Sequence, residues 1–132
     1  MWVDAEAGPE ATLELPPDAA YIATARIFGS ALARHYGVPE GAIEDLKLAL
    51  SEACAALVRG SGERMLLAAT PLDGRLRYRV TGGALPGAGP AEDDTPSSLA
   101  SVGLELIRAL FEDAEITAGD QRASVSFSVP AG

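Results

Sequence analysis

The stretch IEDLKLALSEACAALVR, residues 43–59, decides the fold of this chain. Its apolar residues recur at steps of three and four among good helix formers, which places them on one stripe of an α-helix. The stripe consists of Ile43, Leu46, Leu50, Cys54 and Leu57, and a second face with the same spacing carries Asp45, Ala49, Glu52 and Ala56. We predict a core helix whose second face decides the function, because Glu52 and Ala56 lie one turn apart and point the same way.

The length and composition predict a single globular domain. The 132 residues can bury one core, and the contents of 48% hydrophobic and 22% charged residues are typical of globular proteins. We expect residues 1–10 to be a mobile leader and residues 11–130 to form the domain. No apolar run approaches the roughly 18 residues of a membrane span, and the N-terminus lacks the features of a secretion signal. A cytoplasmic protein without membrane contact is therefore expected.

The formal charge of −9 disfavours direct binding to nucleic acids, since that affinity comes from clustered Lys and Arg. A basic protein partner suits this charge, and so does a chain that uses its charge only for solubility. The single cysteine, Cys54, excludes an internal disulfide and lies on the apolar stripe, where we interpret it as a buried hydrophobic residue. It indicates neither redox chemistry nor a metal site.

The segments before and after this helix predict strands and a further helix. Residues 11–15 alternate apolar and polar like a short strand, and Asp18 is suited to cap a first helix that ends near a left-handed Gly37. Residues 64–70 and 75–81 flank Asp73-Gly74 and predict a hairpin. One face of its second strand carries a row of arginines, which are Arg75, Arg77 and Arg79. We interpret this row as a solvated strand face, with a docking surface as the alternative.

The rest of the chain predicts a long loop, a third helix and two strands. Residues 82–98 are rich in Gly, Pro, Ser and acidic residues, which is typical of a lid, a binding loop or a disordered segment. A helix is expected to begin near Ser101, and strands are expected at 114–118 and 122–129, with the serines of the latter facing water or a partner. The predicted fold class is an α/β (α+β) two-layer sandwich, in which three helices cover one face of a mostly antiparallel mixed sheet of about five strands.

Signatures of common catalytic sites are missing from the sequence. Lys47, the only lysine, lies inside a predicted helix, so the chain has no phosphate loop and is not a phosphate-loop NTPase. His35 has no second histidine with which to share a metal, and it follows a helix rather than a strand-end loop. No metal site is therefore predicted.

The order of the segments carries a resemblance to a known family. The chain places SEACAALVR on a helix, then a hairpin, a Gly-rich loop, and SVGLELIRALFEDAEI in the next helix and strand. In this order, and most specifically in DLKLALSEAC and GLELIRAL, residues 13–129 resemble the anti-sigma-factor serine kinases of the RsbW and SpoIIAB type, which are GHKL or Bergerat-fold ATPases. The resemblance implies this histidine-kinase-like fold, ATP and Mg as cofactors, and a homodimer. It also implies a bacterial transcription regulator whose protein partner is a sigma factor or an anti-anti-sigma (STAS-type) protein.

The resemblance implies a nucleotide site that this chain retains only in part. In the family's N box, Glu52 matches the glutamate that positions or activates a nucleophile. Ala56 stands where the family has an asparagine that holds magnesium, and a methyl group cannot coordinate a hard cation. At the end of the hairpin, TGGALPG, with Gly82 and Gly83, replaces the D-x-G-x-G pattern whose aspartate reads adenine.

The third family element, a G-x-G at the start of the following helix, lets backbone amides approach the phosphates. Here it becomes Ser101-Val102-Gly103, so that only Gly103 and the following Leu104 are retained. These departures affect the metal, the base and the phosphates, whereas the hydrophobic framework is intact. We therefore predict a vestigial nucleotide site.

Three hypotheses follow. The leading one is a regulatory protein-interaction module that resembles an anti-sigma factor and binds a sigma factor or an anti-anti-sigma protein without productive use of ATP. The alternative is an active Mg-ATP-dependent serine/threonine kinase, in which Glu52 is the base and Glu92, Asp93 or Asp94 assists the metal. The third is an unrelated α/β domain, whose helices would lie on opposite faces of the sheet.

Overall fold

The described part of the chain alternates strands and helices. The computed structural model describes residues 8–59, 64–83, 95–119 and 121–132. In chain order the elements are β1 (Ala11–Leu15), a short 3₁₀-helix (Ala19–Tyr21), α1 (Ile22–His35), α2 (Glu40–Val58), β2 (Met65–Leu72), β3 (Arg75–Gly83), α3 (Thr95–Leu110), β4 (Glu115–Ala118) and β5 (Arg122–Pro130). None of these helices combines the length and the apolar character that crossing a membrane requires. Residues 1–7 of the predicted leader lie outside the described residues, and Gly8 N donates to Pro71 O over 3.0 Å.

The strands form one sheet in the order β1-β2-β3-β5-β4, and every pair of neighbours is antiparallel. The central strand β3 pairs with β2 through the Asp73-Gly74 turn and with β5 from Arg75↔Pro130 to Gly83↔Arg122. One face of the sheet is buried, as shown by Tyr78 and Phe127, which are each 1% exposed. The helices cover this face, so the predicted two-layer fold is confirmed, although the sheet is antiparallel throughout rather than mixed.

Helix α2 packs on the sheet and lies between the two other helices in the same layer. Every residue of the predicted apolar stripe is 0% or 1% exposed, which confirms the stripe. Ala49 and Ala56 of the second face are buried as well, because α2 packs against both α1 and α3. Burial raises the pKa of the Cys54 thiol to about 12, so this thiol stays protonated and serves as the predicted hydrophobic residue.

Helix α1 approaches the core closely at Gly29. A Cβ atom at this position would overlap Leu50 Cδ1 and would lie 3.4 Å from Tyr78 Cε1. The Tyr78 hydroxyl donates to the Gly29 carbonyl oxygen over 2.6 Å. Burial raises the pKa of this phenol, so the hydroxyl remains a donor. This contact joins α1, α2 and β3 at one point.

The turns follow the sequence-based predictions with one refinement. The Asp18 carboxylate accepts a hydrogen bond from Ala20 N over 2.9 Å, and so caps the 3₁₀-helix that precedes α1 rather than α1 itself. Gly37 has φ +78°, as expected for a left-handed helix cap. Asp73 and Gly74 have φ values of 56° and 75°, which confirms a tight hairpin turn of the kind that requires two left-handed residues.

The predicted boundaries of the loop at 82–98 are wrong at both ends. Gly82 and Gly83 belong to β3, where they pair with Ala123 and Arg122 of β5. Helix α3 begins at Thr95, well before the expected start near Ser101. The sequence does not predict its first turn, which carries no apolar periodicity, although Pro96 is compatible with the first turn of a helix. Residues 84–94 lie outside the described residues.

The face of the sheet opposite the helices is open and polar, as predicted, but two of the serines that β5 contributes to it are covered. Ser126 and Ser128 are 4% and 5% exposed. Arg75 donates from Nε to Ser128 Oγ over 2.6 Å, and Arg77 donates from Nη2 to Ser126 Oγ over 3.3 Å. The arginine side chains therefore lie over the serines of β5, because long side chains cover shorter ones on the neighbouring strand.

The close contact at Gly29 leads to a prediction about the free energy of unfolding. Replacing a helical Gly with Ala favours the helix by roughly 1 kcal/mol, but at Gly29 the added methyl group must displace the fully buried Leu50, which costs about 1–3 kcal/mol. We expect Gly29→Ala to lower the free energy of unfolding in urea titrations. Gly41→Ala is the matched control, because a Cβ atom there meets nothing within 4 Å, and it should be neutral or stabilising. Equal effects of the two variants would contradict the packing at Gly29.

Candidate nucleotide site

The residues that match the family's nucleotide site converge where the C-terminal half of α2 faces the end of β3 and the middle of α3. Glu52 is half-buried on α2, and Ala56, one turn later, is 1% exposed. Gly82 lies against the same helix, since a Cβ atom there would lie 3.2 Å from Leu57 Cβ. The structure therefore places Gly82 beside the C-terminal end of α2, next to the residue that follows Ala56.

The Glu52 carboxylate lies directly against Gly103 of α3. A Cβ atom at Gly103 would overlap Glu52 Oε1 and would lie 3.5 Å from Glu52 Cβ. Within the described residues, Glu52 makes no hydrogen bond or ion pair through its side chain. The acidic group of α2 thus occupies the space that a side chain at position 103 would need, and α2 packs against α3 without an intervening layer.

Ala56 offers no ligand to a cation. Its methyl group is buried, whereas Mg²⁺ demands oxygen ligands in near-octahedral geometry. Clusters of three or more His, Cys, Asp or Glu side chains that could hold a metal are absent from the described ranges. Glu52 lies one turn away on the same helix, and Mg²⁺ bound through one carboxylate takes its further oxygen ligands from other groups, none of which Ala56 supplies. The described residues of the site therefore do not fit a bound magnesium ion.

Gly103 does not open a helix, contrary to what the family pattern implies. It lies in the middle of α3, which runs from Thr95 to Leu110. Amides in a helix interior donate to the carbonyl four residues earlier, so only the first four N–H groups of a helix are free to bind an anion. The Gly103 amide is therefore not available to a phosphate in this conformation.

The remaining predicted site residues take different positions. Ser101 belongs to α3, and Leu104 is half-buried and packs against the core. Gly83 is buried at the end of β3. The acidic loop residues proposed to assist a metal lie outside the described residues, and these are Glu92, Asp93 and Asp94. Three cavities of about 270, 330 and 540 Å³ lie among the described residues, and Glu52, Ala56 and Gly103 line none of the three.

A polar network at the opposite end of the fold was missed by sequence reasoning. Ser128 Oγ donates to Asp113 Oδ2, Ser128 N donates to Asp113 Oδ1 over 3.2 Å, and Ser128 Oγ accepts from Arg75 Nε. Asp113 and Arg75 are thus joined through one buried hydroxyl beside the largest of these cavities. No sequence signal pairs them, because the contact depends on how β3, β5 and the end of α3 pack.

The contact between Glu52 and Gly103 predicts a coupling between the two positions. In the wild-type chain, the methyl group of Gly103→Ala must push the Glu52 carboxylate aside, which offsets the gain in helix propensity of roughly 1 kcal/mol. In a Glu52→Ala background the methyl group fits, and the gain should appear in full. We expect a coupling of about 1 kcal/mol in a double-mutant cycle measured by urea unfolding.

Gly41→Ala serves as the control for this cycle, since position 41 has open space around it. Its effect should be the same in the wild-type and Glu52→Ala backgrounds. Additive effects of Gly103→Ala and Glu52→Ala would contradict the direct contact between α2 and α3.

Comparisons with known proteins agree with this architecture. The family described as histidine kinase-like ATPase domain matches residues 15–129. Among solved structures, the RsbU and RsbW domains of Rv1364c from Mycobacterium tuberculosis have a similar fold, with a TM-score of 0.72 and 19% sequence identity. The match covers 94% of this chain and 33% of that chain, so this chain spans about a third of its length. No curated protein sequence gives a significant match. Because the family match extends from the end of β1 almost to the end of β5, the chain belongs to the histidine kinase-like ATPase domain family.

Proposed function

We propose that this chain is a regulatory protein-interaction module of the anti-sigma type, which binds a sigma factor or an anti-anti-sigma protein without productive use of ATP. The observation that carries the proposal is the direct contact of the Glu52 carboxylate with Gly103. In this arrangement the glutamate that would position or activate a nucleophile lies against the helix that would hold the phosphates. The fold similarity to a structure that contains an RsbW domain supports the regulatory class.

Two polar interactions that the family pattern makes with Mg-ATP have no counterpart in this chain. The alanine at position 56 replaces a metal ligand, and the sequence TGGALPG lacks the aspartate that reads adenine in the family pattern. If each lost polar interaction is worth about 2 kcal/mol, the two losses weaken nucleotide binding by roughly a thousandfold. The interior position of Gly103 in α3 removes a third contribution, since its amide donates within the helix.

The charge of the chain indicates the chemistry of its partner. A net charge of −9 favours the approach of a basic protein surface and repels nucleic acid phosphates. The proposal therefore includes a protein partner in the cytoplasm and no direct nucleic acid or membrane contact. It also includes a homodimer, on the strength of the family resemblance alone, and sedimentation velocity of the purified chain measures this assembly directly.

The second candidate function is the Mg-ATP-dependent serine/threonine kinase. It is favoured by Glu52, which is retained, half-buried, and without a hydrogen bond to any described residue. A carboxylate in such a position can take a proton from an attacking hydroxyl. This function requires α2 and α3 to separate at Gly103 and requires other residues to supply the metal ligands.

Isothermal titration calorimetry with Mg-ATP distinguishes the two functions. We expect no heat of binding at millimolar nucleotide, because the family's metal ligand is replaced by Ala56 and the Gly103 amide donates within α3. Heat that disappears in Glu52→Ala and Gly103→Val, but persists in Glu44→Ala, would overturn the proposal in favour of the kinase. Glu44 is the matched control, since it is an exposed glutamate of the same helix that pairs with Lys47 over 3.0 Å.

Co-purification tests the protein partner. The tagged chain, expressed in its native cell and purified without added nucleotide, should retain a sigma factor or an anti-anti-sigma protein that mass spectrometry identifies. Glu52→Ala should retain the same partner in the same amount, because the proposed binding does not use ATP. Recovery of neither class of protein, or loss of the partner after ATP depletion with apyrase, would contradict the proposal.

A further inference from the structure

The open face of the sheet gathers positive charge in a strongly acidic chain. The chain has 10 Lys and Arg residues against 19 Asp and Glu residues. Five of these 10 cations line the open face or its end, and they are Arg64, Arg75, Arg77, Arg79 and Arg122. The row of arginines that the sequence places on β3 thus belongs to a larger basic group, which the proposed function leaves without a role.

Three of these five arginines are held by neighbouring groups. Arg64 pairs with Glu14 over 2.9 Å, Arg77 pairs with Glu115 over 3.3 Å, and Arg75 donates to Ser128. Arg79 and Arg122 form no ion pair and no side-chain hydrogen bond with any residue of the described ranges. Both are exposed, so their guanidinium groups are available to a ligand.

A row of hydroxyl groups runs between Arg79 and Arg122. Thr81 of β3 is paired with Ser124 of β5, and Ser124 is paired with Thr117 of β4, so the three side chains stand next to one another across the sheet. Arg79 precedes Thr81 by two residues on β3, and Arg122 precedes Ser124 by two residues on β5, so both lie on the same face as this row. Because the strands are antiparallel, the two arginines lie on opposite sides of the row. Together these side chains line a cleft of about 330 Å³, to which Glu115 and Ser126 also contribute.

An apolar side chain continues the hydroxyl row on the next strand. Leu66 of β2 is paired with Thr81, and it is 40% exposed on the open face. Protein interfaces are enriched in arginine and depleted in lysine, and the cations of this patch are all arginines. The cleft is also shallow and open, whereas sites for small molecules bury most of their ligand.

We propose that this cleft binds an extended acidic segment of a partner protein. Carboxylates of the segment pair with Arg79 and Arg122, polar groups of the segment bond to the hydroxyl row, and an apolar side chain covers Leu66. The net charge of −9 repels such a segment from the rest of the surface. The cleft therefore determines the position at which the acidic segment of the partner binds. The inference rests on the proposed function, because it assigns a surface and a chemistry to contact with a protein partner.

A titration followed by NMR tests the cleft without the native partner. The probe is the peptide acetyl-Asp-Leu-Asp-Leu-Asp-amide, and the control peptide has Asn at each Asp position. Added to the full chain labelled with ¹⁵N, the acidic peptide should shift the amide signals of Thr81, Ser124 and Thr117. Its affinity should fall by about tenfold when salt rises from low to physiological concentration, because exposed charge pairs are screened.

Variants assign the binding to the two arginines. Arg79→Gln and Arg122→Gln should each weaken the binding of the acidic peptide by about threefold, as expected for an exposed ion pair. Arg108→Gln should leave it unchanged. Arg108 is the matched control, since it is an exposed arginine on α3 that pairs with Glu105 over 2.9 Å. Equal shifts with the Asn peptide, or equal weakening in Arg108→Gln, would overturn the inference.

Two further outcomes separate this inference from the proposed function. A native partner is sought with the wild-type chain and with the Arg79→Gln/Arg122→Gln double variant. Equal co-purification with both would contradict the proposed binding of an acidic segment in the cleft, and it would agree with the proposed function. A change in the sedimentation coefficient of the purified double variant would show that the open face of the sheet contacts a second copy of the chain. It would also contradict the proposed binding of a partner's acidic segment in the cleft. If the peptide binds as expected while no partner co-purifies, the proposed function is contradicted and the binding of an acidic segment in the cleft is supported.

Discussion

The packing of this domain depends on the close approach of α1 to the core at Gly29. Since position 29 has no side chain, Leu50 of α2 and the ring of Tyr78 on β3 both reach the backbone of α1. The Tyr78 hydroxyl then finds its acceptor in the Gly29 carbonyl, away from water. A buried phenol without such a partner would cost about 1–3 kcal/mol. Gly29, Leu50 and Tyr78 thus set the distance between the helix layer and the sheet, and this distance positions the rest of α2.

One side of α2 packs against α1, and the opposite side packs against α3. The contact with α3 contains the candidate site, because Glu52 and Gly103 meet there. Gly103 of α3 lies under the Glu52 carboxylate, and Ala56 is buried one turn further along α2. Small residues let two helices come close, so little space remains for a ligand between them. A ligand that enters here must replace helix packing with its own contacts. The missing side chain at Gly103 therefore permits the close packing of the two helices.

Periodicity and turn chemistry predict most of the fold, because they depend on neighbours in the sequence. The apolar stripe of α2 and the Asp73-Gly74 turn are examples, since a helix repeat and two left-handed residues leave clear local signals. The start of α3 at Thr95 was missed because its first turn is polar. The burial of Ser126 was missed because it depends on arginines of a strand far away in the sequence. The contact between Glu52 and Gly103 belongs to the same class, since it depends on how two helices pack, whereas the spacing on α2 predicts only that Glu52 and Ala56 share a face.

The strand order has a consequence for how the chain folds. The hairpin of β2 and β3 closes through a turn of two residues, Asp73 and Gly74, so it can form within microseconds. The other edge of β3 pairs with β5, beginning at Arg75 and Pro130. This pairing closes a long loop of the chain that contains all of α3 and β4. Long loops cost entropy before their contacts are made, which slows this step. On the ribosome, the central strand therefore keeps one unpaired edge until β5 has been synthesised, and during that interval this edge is open to wrong pairing.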